Sequence, residues 1–121
     1  MSKRTDFIVS ICEVFELKSV AYVGSDPTFL EELLSLLPNL QGPDANGKAD
    51  AVFLDRCYAN HPRDVISAGV HMTAPNGFLM GTDYTHNEET GLPVQAALTD
   101  IFNLMMVQIG PDSVWAVRKA A

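Results

Sequence analysis

Ala51-Val52-Phe53-Leu54-Asp55 decides the fold, because four apolar residues follow one another without alternation and end in a carboxylate. Alternation would mark a strand with one wet face, whereas a continuous apolar run marks a strand covered on both faces, as in parallel sheets. Upstream, Val20-Ala21-Tyr22-Val23 repeats the pattern and stops at Gly24. Ser25 or Asp26 can then cap a helix that has Pro27 in its first turn, Leu30, Leu33, Leu34 and Leu37 as its buried stripe, and Pro38 as its stop. Residues 39–50 are rich in Gly, Pro, Asn and Asp and read as a loop. Further back, Ile8, Ile11, Cys12 and Phe15 lie on one face of a helix over 5–17, with Thr5 or Ser2 as N-cap.

Downstream, a helix over 62–72 turns Val65, Ile66, Gly69 and Val70 inward. Ala74-Pro75-Asn76-Gly77 is a turn and Phe78-Leu79-Met80 the next strand. Pro93 opens a helix with the stripe Val94, Ala97, Leu98, Ile101 and Phe102. Two last strands, 104–109 and 113–118, flank Gly110-Pro111-Asp112 as an antiparallel hairpin. The order α-β-α-β-α-β-α-β-β predicts a single α/β domain over 1–121, a mostly parallel sheet of about five strands with an antiparallel edge.

Composition narrows the function. The 121 residues hold 47% hydrophobic and 19% charged residues, enough for one real core and too little for a second domain. A formal charge of −7, with eight scattered basic residues against fifteen acidic ones, argues against nucleic acid and anionic membrane surfaces as partners. Cys12 and Cys57 form no CxxC and no disulfide framework, and the apolar run from Phe7 to Cys12 is too short for a signal peptide or a membrane span. A cytoplasmic protein is expected.

In an open parallel sheet, ligands bind beyond the carboxyl ends of the strands. Three segments qualify: Gly24-Ser25-Asp26, Asp55-Arg56-Cys57-Tyr58 and Gly81-Thr82-Asp83-Tyr84. Gly24 permits close backbone approach, and the helix starting near Asp26 offers free N–H groups, although a plain β-to-α turn accounts for both. Asp55 and Asp83 end apolar strands and face one crevice, as in a metal or ribose site, or each simply caps the next helix or turn. Tyr58 is a candidate substrate contact or base, or a half-buried aromatic. His86, with Glu88 and Glu89, can reach a metal or substrate, or belongs to a solvated loop. His61 reads as an exposed helix-start residue, His71 as a cation at a helix C-terminus, and Cys57 beside Arg56 lacks a fixed base.

Together, Ala49-Asp50-Ala51-Val52-Phe53-Leu54-Asp55, a helix, and Pro75-Asn76-Gly77-Phe78-Leu79-Met80-Gly81-Thr82-Asp83-Tyr84 resemble the fourth and fifth strand segments of class I S-adenosylmethionine-dependent methyltransferases. The similarity is to the small-molecule O-methyltransferases, the catechol and caffeoyl-CoA types among them, with their pattern D-hydrophobic-D, helix, P-G-G, strand, G-x-D. It continues through Gly91-Leu92-Pro93-Val94, Asp100-Ile101-Phe102 and Ser113-Val114-Trp115-Ala116-Val117-Arg118-Lys119, and more weakly covers Ile8 to Gly24.

The resemblance implies a shortened Rossmann-like sheet that binds S-adenosylmethionine through Gly24, Ser25, Asp26 and Asp55. It maps Asp55 and Asp83 onto the two aspartates that hold Mg²⁺ in the metal-dependent members. Those members place Asn where Tyr84 stands and a basic residue where Tyr58 stands; metal-free members use a His, for which His61 or His86 could serve. The glycine-rich G-x-G-x-G turn is reduced to Val23-Gly24-Ser25-Asp26, and the second and third strand-helix units are missing.

Two functions are expected in consequence. One is transfer of a methyl group to a small-molecule oxygen or nitrogen, with Tyr58 or His86 as base. The other is a non-catalytic module for oligomerisation or partner binding. Because crossovers between parallel strands are nearly always right-handed, the helices over 26–37, 62–72 and 93–103 should share one face of the sheet. Uncovered sheet or the unpaired edge of the first strand should then be buried in a homo-oligomer.

Overall fold

The computed structural model describes residues 3–55, 62–81, 107–109 and 114–119. Its elements are α1 (Lys3–Val14), β1 (Val20–Val23), α2 (Pro27–Leu36), β2 (Ala49–Leu54), α3 (Pro62–Met72), β3 (Thr73–Gly81), β4 (Val107–Ile109) and β5 (Trp115–Arg118). They form a five-stranded sheet in the order β1-β2-β3-β5-β4. β1, β2 and β3 pair in parallel, whereas β5 runs antiparallel to both β3 and β4. The reversed strand therefore lies inside the sheet rather than at its edge, and β4 points the same way as β1–β3. The helix expected over 93–103 falls outside the described residues.

The alternation of β1, β2, β3 and β5 splits the core into two layers. On one face Ile8, Ile11 and Cys12 of α1 and Phe29 and Leu33 of α2 pack with Val20, Ala51, Phe53, Phe78, Met80 and Ala116. On the other, Ile66 of α3 packs with Ala21, Val52, Leu54, Leu79, Trp115 and Val117. Gly69 allows α3 to sit close, since a Cβ there would lie 2.9 Å from Leu79 Cδ1. Burial also pushes the Cys12 thiol up to about 11, with Glu13 adding to the effect, so it behaves as a small apolar side chain.

This division overturns the expectation that α2 and α3 share a face. The chain does not step in one direction: after α2 it forms a parallel bridge at Gln41 on the outer side of β1 before returning to β2, so α2 and α3 lie on opposite faces while each steps a different way across the sheet. The connection 37–48 gives the slack. It runs outside β1, where Val20 N–H donates to Gln41 C=O at 2.9 Å and Gln41 N–H to Lys18 C=O at 2.9 Å. The stripe of α2 is also rotated from the expected one. Phe29 and Leu33 fill the core, while Leu34 is 38% exposed.

Two termini are held by specific groups. Thr5 lies buried within α1 rather than capping it, because the helix already starts at Lys3. At the other end Leu17 N–H reaches Cys12 C=O (2.9 Å) and Glu16 N–H reaches Glu13 C=O (3.2 Å), a Schellman pattern with Glu16 at φ 54°. A side chain in that left-handed conformation is strained, so Glu16→Gly should gain about 0.5–1 kcal/mol and raise Tm by roughly 2–6 °C in a thermal melt. An unchanged or lower Tm would show that this cap does not limit stability. At the end of α3, Lys48 Nζ donates to His71 C=O (2.6 Å) and Lys119 Nζ to Val70 and Thr73 C=O (2.9 and 2.8 Å). Burial, and then Lys48, lower the Lys119 pKa.

The turn expected at 74–77 interrupts a longer strand. Pairing jumps from Ala49↔Thr73 to Ala51↔Phe78, Asn76 takes φ 67°, and Gly77 lets Asp50 C=O approach to 2.5 Å of where a Cβ would sit. No helix among the described residues is long and apolar enough to cross a membrane.

Candidate functional site

The carboxyl ends of β1 and β2 meet at Tyr22, Gly24, Asp26 and Asp55. Asp55 is 7% exposed, and its N–H continues the ladder to Val23 C=O at 2.8 Å. Its Oδ2 accepts the Tyr22 hydroxyl at 2.7 Å. That hydroxyl in turn accepts Asp26 N–H at 3.1 Å, so the phenol oxygen bridges the end of β2 and the start of α2. The Tyr22 ring is fixed by Phe53, nearly parallel with centroids 6.0 Å apart, and by Phe29 at 5.4 Å. Burial, reinforced by the bond to Asp55, pushes the phenol up to about 12, so at neutral pH it is a hydrogen-bond donor and not a base.

Asp26 serves as the N-cap of α2, its Oδ1 accepting Thr28 N–H (3.1 Å) and Phe29 N–H (3.3 Å). Pro27 has no N–H to offer. The donors at Asp26, Thr28 and Phe29 are thus all taken by the chain's own oxygens. Gly24 does permit a close approach, as its sequence suggests, but the groups that approach are internal. A Cβ there would lie 2.6 Å from Tyr22 Oη and 2.8 Å from Asp55 Cβ. Ser25 is exposed beside this cluster.

Part of the turn's hydrogen-bonding capacity is used inside the chain. An amino-acid carboxylate needs N–H donors at a turn or helix N-terminus, and those of Asp26, Thr28 and Phe29 are occupied here. The direction a Gly24 side chain would take is filled by Tyr22 and Asp55, while Gly24 itself is exposed. Sequence alone does not mark Tyr22 as a site residue, since it reads as one more strand position and its partner Asp55 lies 33 positions away. A phenol two residues before the strand-ending glycine is the available signal.

Arg56, Cys57, Tyr58, His61, Asp83, Tyr84 and His86 lie outside the described residues, so the structure brings none of them to Asp55 or away from it. Among the described residues, no three His, Cys, Asp or Glu side chains gather as a metal set. His71 is exposed at the end of α3, away from the crevice by its place in the fold.

No family model and no curated protein matches the sequence. Solved structures do resemble the fold. An O-methyltransferase family protein from Burkholderia thailandensis aligns with a TM-score of 0.72 at 17% identity, over 98% of this chain and 55% of its own. Phosphoethanolamine N-methyltransferase 2 of Haemonchus contortus, in complex with S-adenosyl-L-methionine, aligns at 0.65 and 14%, over 99% of this chain and 38% of that one. The O-methyltransferase of Bacillus cereus, in complex with SAH, aligns at 0.58 and 9%, over 98% and 82%. The fold is that of class I methyltransferases in shortened form, and the chain spans about half the length of the Burkholderia protein.

Proposed function

We propose that this chain is a non-catalytic module on a shortened methyltransferase fold, which binds a protein partner instead of transferring a methyl group. The observation that carries this reading is the Tyr22 hydroxyl, which ties Asp55 to the first turn of α2 and sits where a Gly24 side chain would point. The sheet and both helix layers are kept, while the N–H donors of Asp26, Thr28 and Phe29 are taken within the chain.

A second reading keeps S-adenosylmethionine, or its demethylated product, on Gly24, Ser25, Asp26 and Asp55, with a small-molecule acceptor. It is supported by the fold neighbours that hold such ligands and by the buried carboxylate at the strand end. It requires the Tyr22 hydroxyl to leave both of its partners.

Thermal melts decide between them. A ligand specific for the folded state stabilises it by RT ln(1 + [L]/Kd), about 2.7 kcal/mol at a hundredfold excess. That would move Tm by roughly 5–16 °C. Millimolar S-adenosylmethionine or S-adenosylhomocysteine, with and without Mg²⁺, is expected to leave Tm where NAD and ATP leave it. A shift of several degrees specific to the adenosyl compounds would overturn the module reading and establish the second.

A further inference from the structure

The odd-numbered residues of β1 face β2, since Ser19 C=O accepts Ala51 N–H (3.0 Å) and Val23 C=O accepts Asp55 N–H (2.8 Å). Val20 and Tyr22 therefore direct their backbone groups to the outer side. Only the start of that side is covered, by the isolated Ser19–Gln41 bridge. From Val20 C=O through Tyr22, no strand among the described residues pairs with β1.

A cavity of about 380 Å³ lies along the same edge, lined by Val20, Tyr22, Leu30, Leu34, Leu40 and Met72 among others. Val20 and Tyr22 belong to the layer of α1 and α2, whereas Met72 belongs to the layer of α3. The groove straddles the edge, so a strand added there would find apolar walls for the side chains it sends to either face. Leu34 is the wall that α2 does not bury in its own core.

Charge says which kind of strand fits. Residues 18–48 supply every named lining residue except Met72, and they contain Asp26, Glu31, Glu32 and Asp44 against Lys18 and Lys48, the second of which is held by His71 C=O. A second copy would bring the same acidic excess and another −7 charge. We propose that the outer edge of β1 takes an extended segment of another protein, added as a strand, with alternating apolar side chains in the groove and Lys or Arg at its flanks. This rests on the partner-binding reading above and names the partner's chemistry.

The test uses the full chain and a panel of fluorescein-labelled peptides with alternating Val, Ile or Phe between paired lysines, read by fluorescence anisotropy. Saturable binding is expected, at least tenfold weaker when Glu replaces the flanking Lys or when alternate peptide nitrogens are methylated so that the ladder cannot form. Leu34→Arg, at a half-exposed position that leaves the core intact by circular dichroism, should weaken it by a similar factor. Equal binding of the methylated peptides, or no saturable binding by any of the panel up to millimolar concentration, overturns the proposal. So does a concentration-dependent dimer in sedimentation that Leu34→Arg returns to monomer, which would assign the edge to a second copy. If the peptides fail while adenosyl compounds still leave Tm unmoved, only the partner's chemistry is wrong and the module reading stands.

Discussion

Gly81→Ala is expected to destabilise the protein by about 3 kcal/mol, at the upper end of what overpacking costs. Gly81 ends β3 and pairs directly with Trp115 of β5. A Cβ at Gly81 would meet the indole itself, 2.6 Å from Cε2 and 2.9 Å from Nε1. Trp115 is fully buried in the layer that holds Leu54, Ile66 and Leu79, so the ring has no open side to retreat into. The strands cannot slide apart either without breaking the ladder from Phe78↔Arg118 to Gly81↔Trp115. For a domain of this size the loss corresponds to a fall in Tm of roughly 6–18 °C.

Trp115→Phe supplies the control. Alone it should cost about 1–3 kcal/mol by leaving a void. In the Gly81→Ala background it should cost less than that, because the new methyl occupies space the indole vacates, giving a coupling of at least about 1 kcal/mol in urea denaturation. Strict additivity, or a Gly81→Ala stability within about 0.5 kcal/mol of wild type, would mean that this contact does not set the geometry at the end of β3. That matters for function, because Gly81 is the last described residue before Thr82-Asp83, the third candidate segment of the crevice.

Local chemistry made much of this fold readable. The runs Val20–Val23 and Ala51–Leu54 are strands of a parallel pair because both of their faces are covered, and α3 starts at Pro62 and ends at Met72 as its stripe requires. Asn76, expected in a turn for its tolerance of positive φ, takes φ 67°. What could not be read depends on layers. The sequence marks α2 as amphipathic, but its leucines and Phe29 form an apolar surface wider than one face can bury, so pattern alone selects Leu34 where the structure selects Phe29. The expectation of one shared helix face then fails because residues 37–48 pass along the outer side of β1, so the chain changes direction before it enters β2. In the candidate site, Asp26 and Asp55 were legible as helix-start and strand-end carboxylates respectively. Their partner was not, since a hydrogen bond across 33 positions leaves no periodicity.

That partner gives the second large effect. Tyr22→Phe keeps the ring but removes the donor to the nearly buried Asp55 and the acceptor for Asp26 N–H, and should cost about 1–2 kcal/mol. Tyr22→Ala also removes the packing against Phe29 and Phe53, and should cost about 3–4 kcal/mol, somewhat less than truncating a fully buried aromatic. The hydroxyl has its own signature in pH. Its pKa is raised to about 12 in the folded chain, against 10 for an ordinary phenol, by burial first and by the bond to Asp55 second. The unfolded chain therefore releases this proton at lower pH than the folded one. The stabilisation is complete below pH 10 and is lost as pH rises through 12. Phenolate absorbance should show one late-titrating tyrosine in the wild type that Tyr22→Phe removes, and urea midpoints should fall over that interval more steeply for wild type than for the variant. If the two proteins instead lose stability in parallel, the hydroxyl does not hold the crevice shut, and the geometric case against a ligand over Gly24 falls with it.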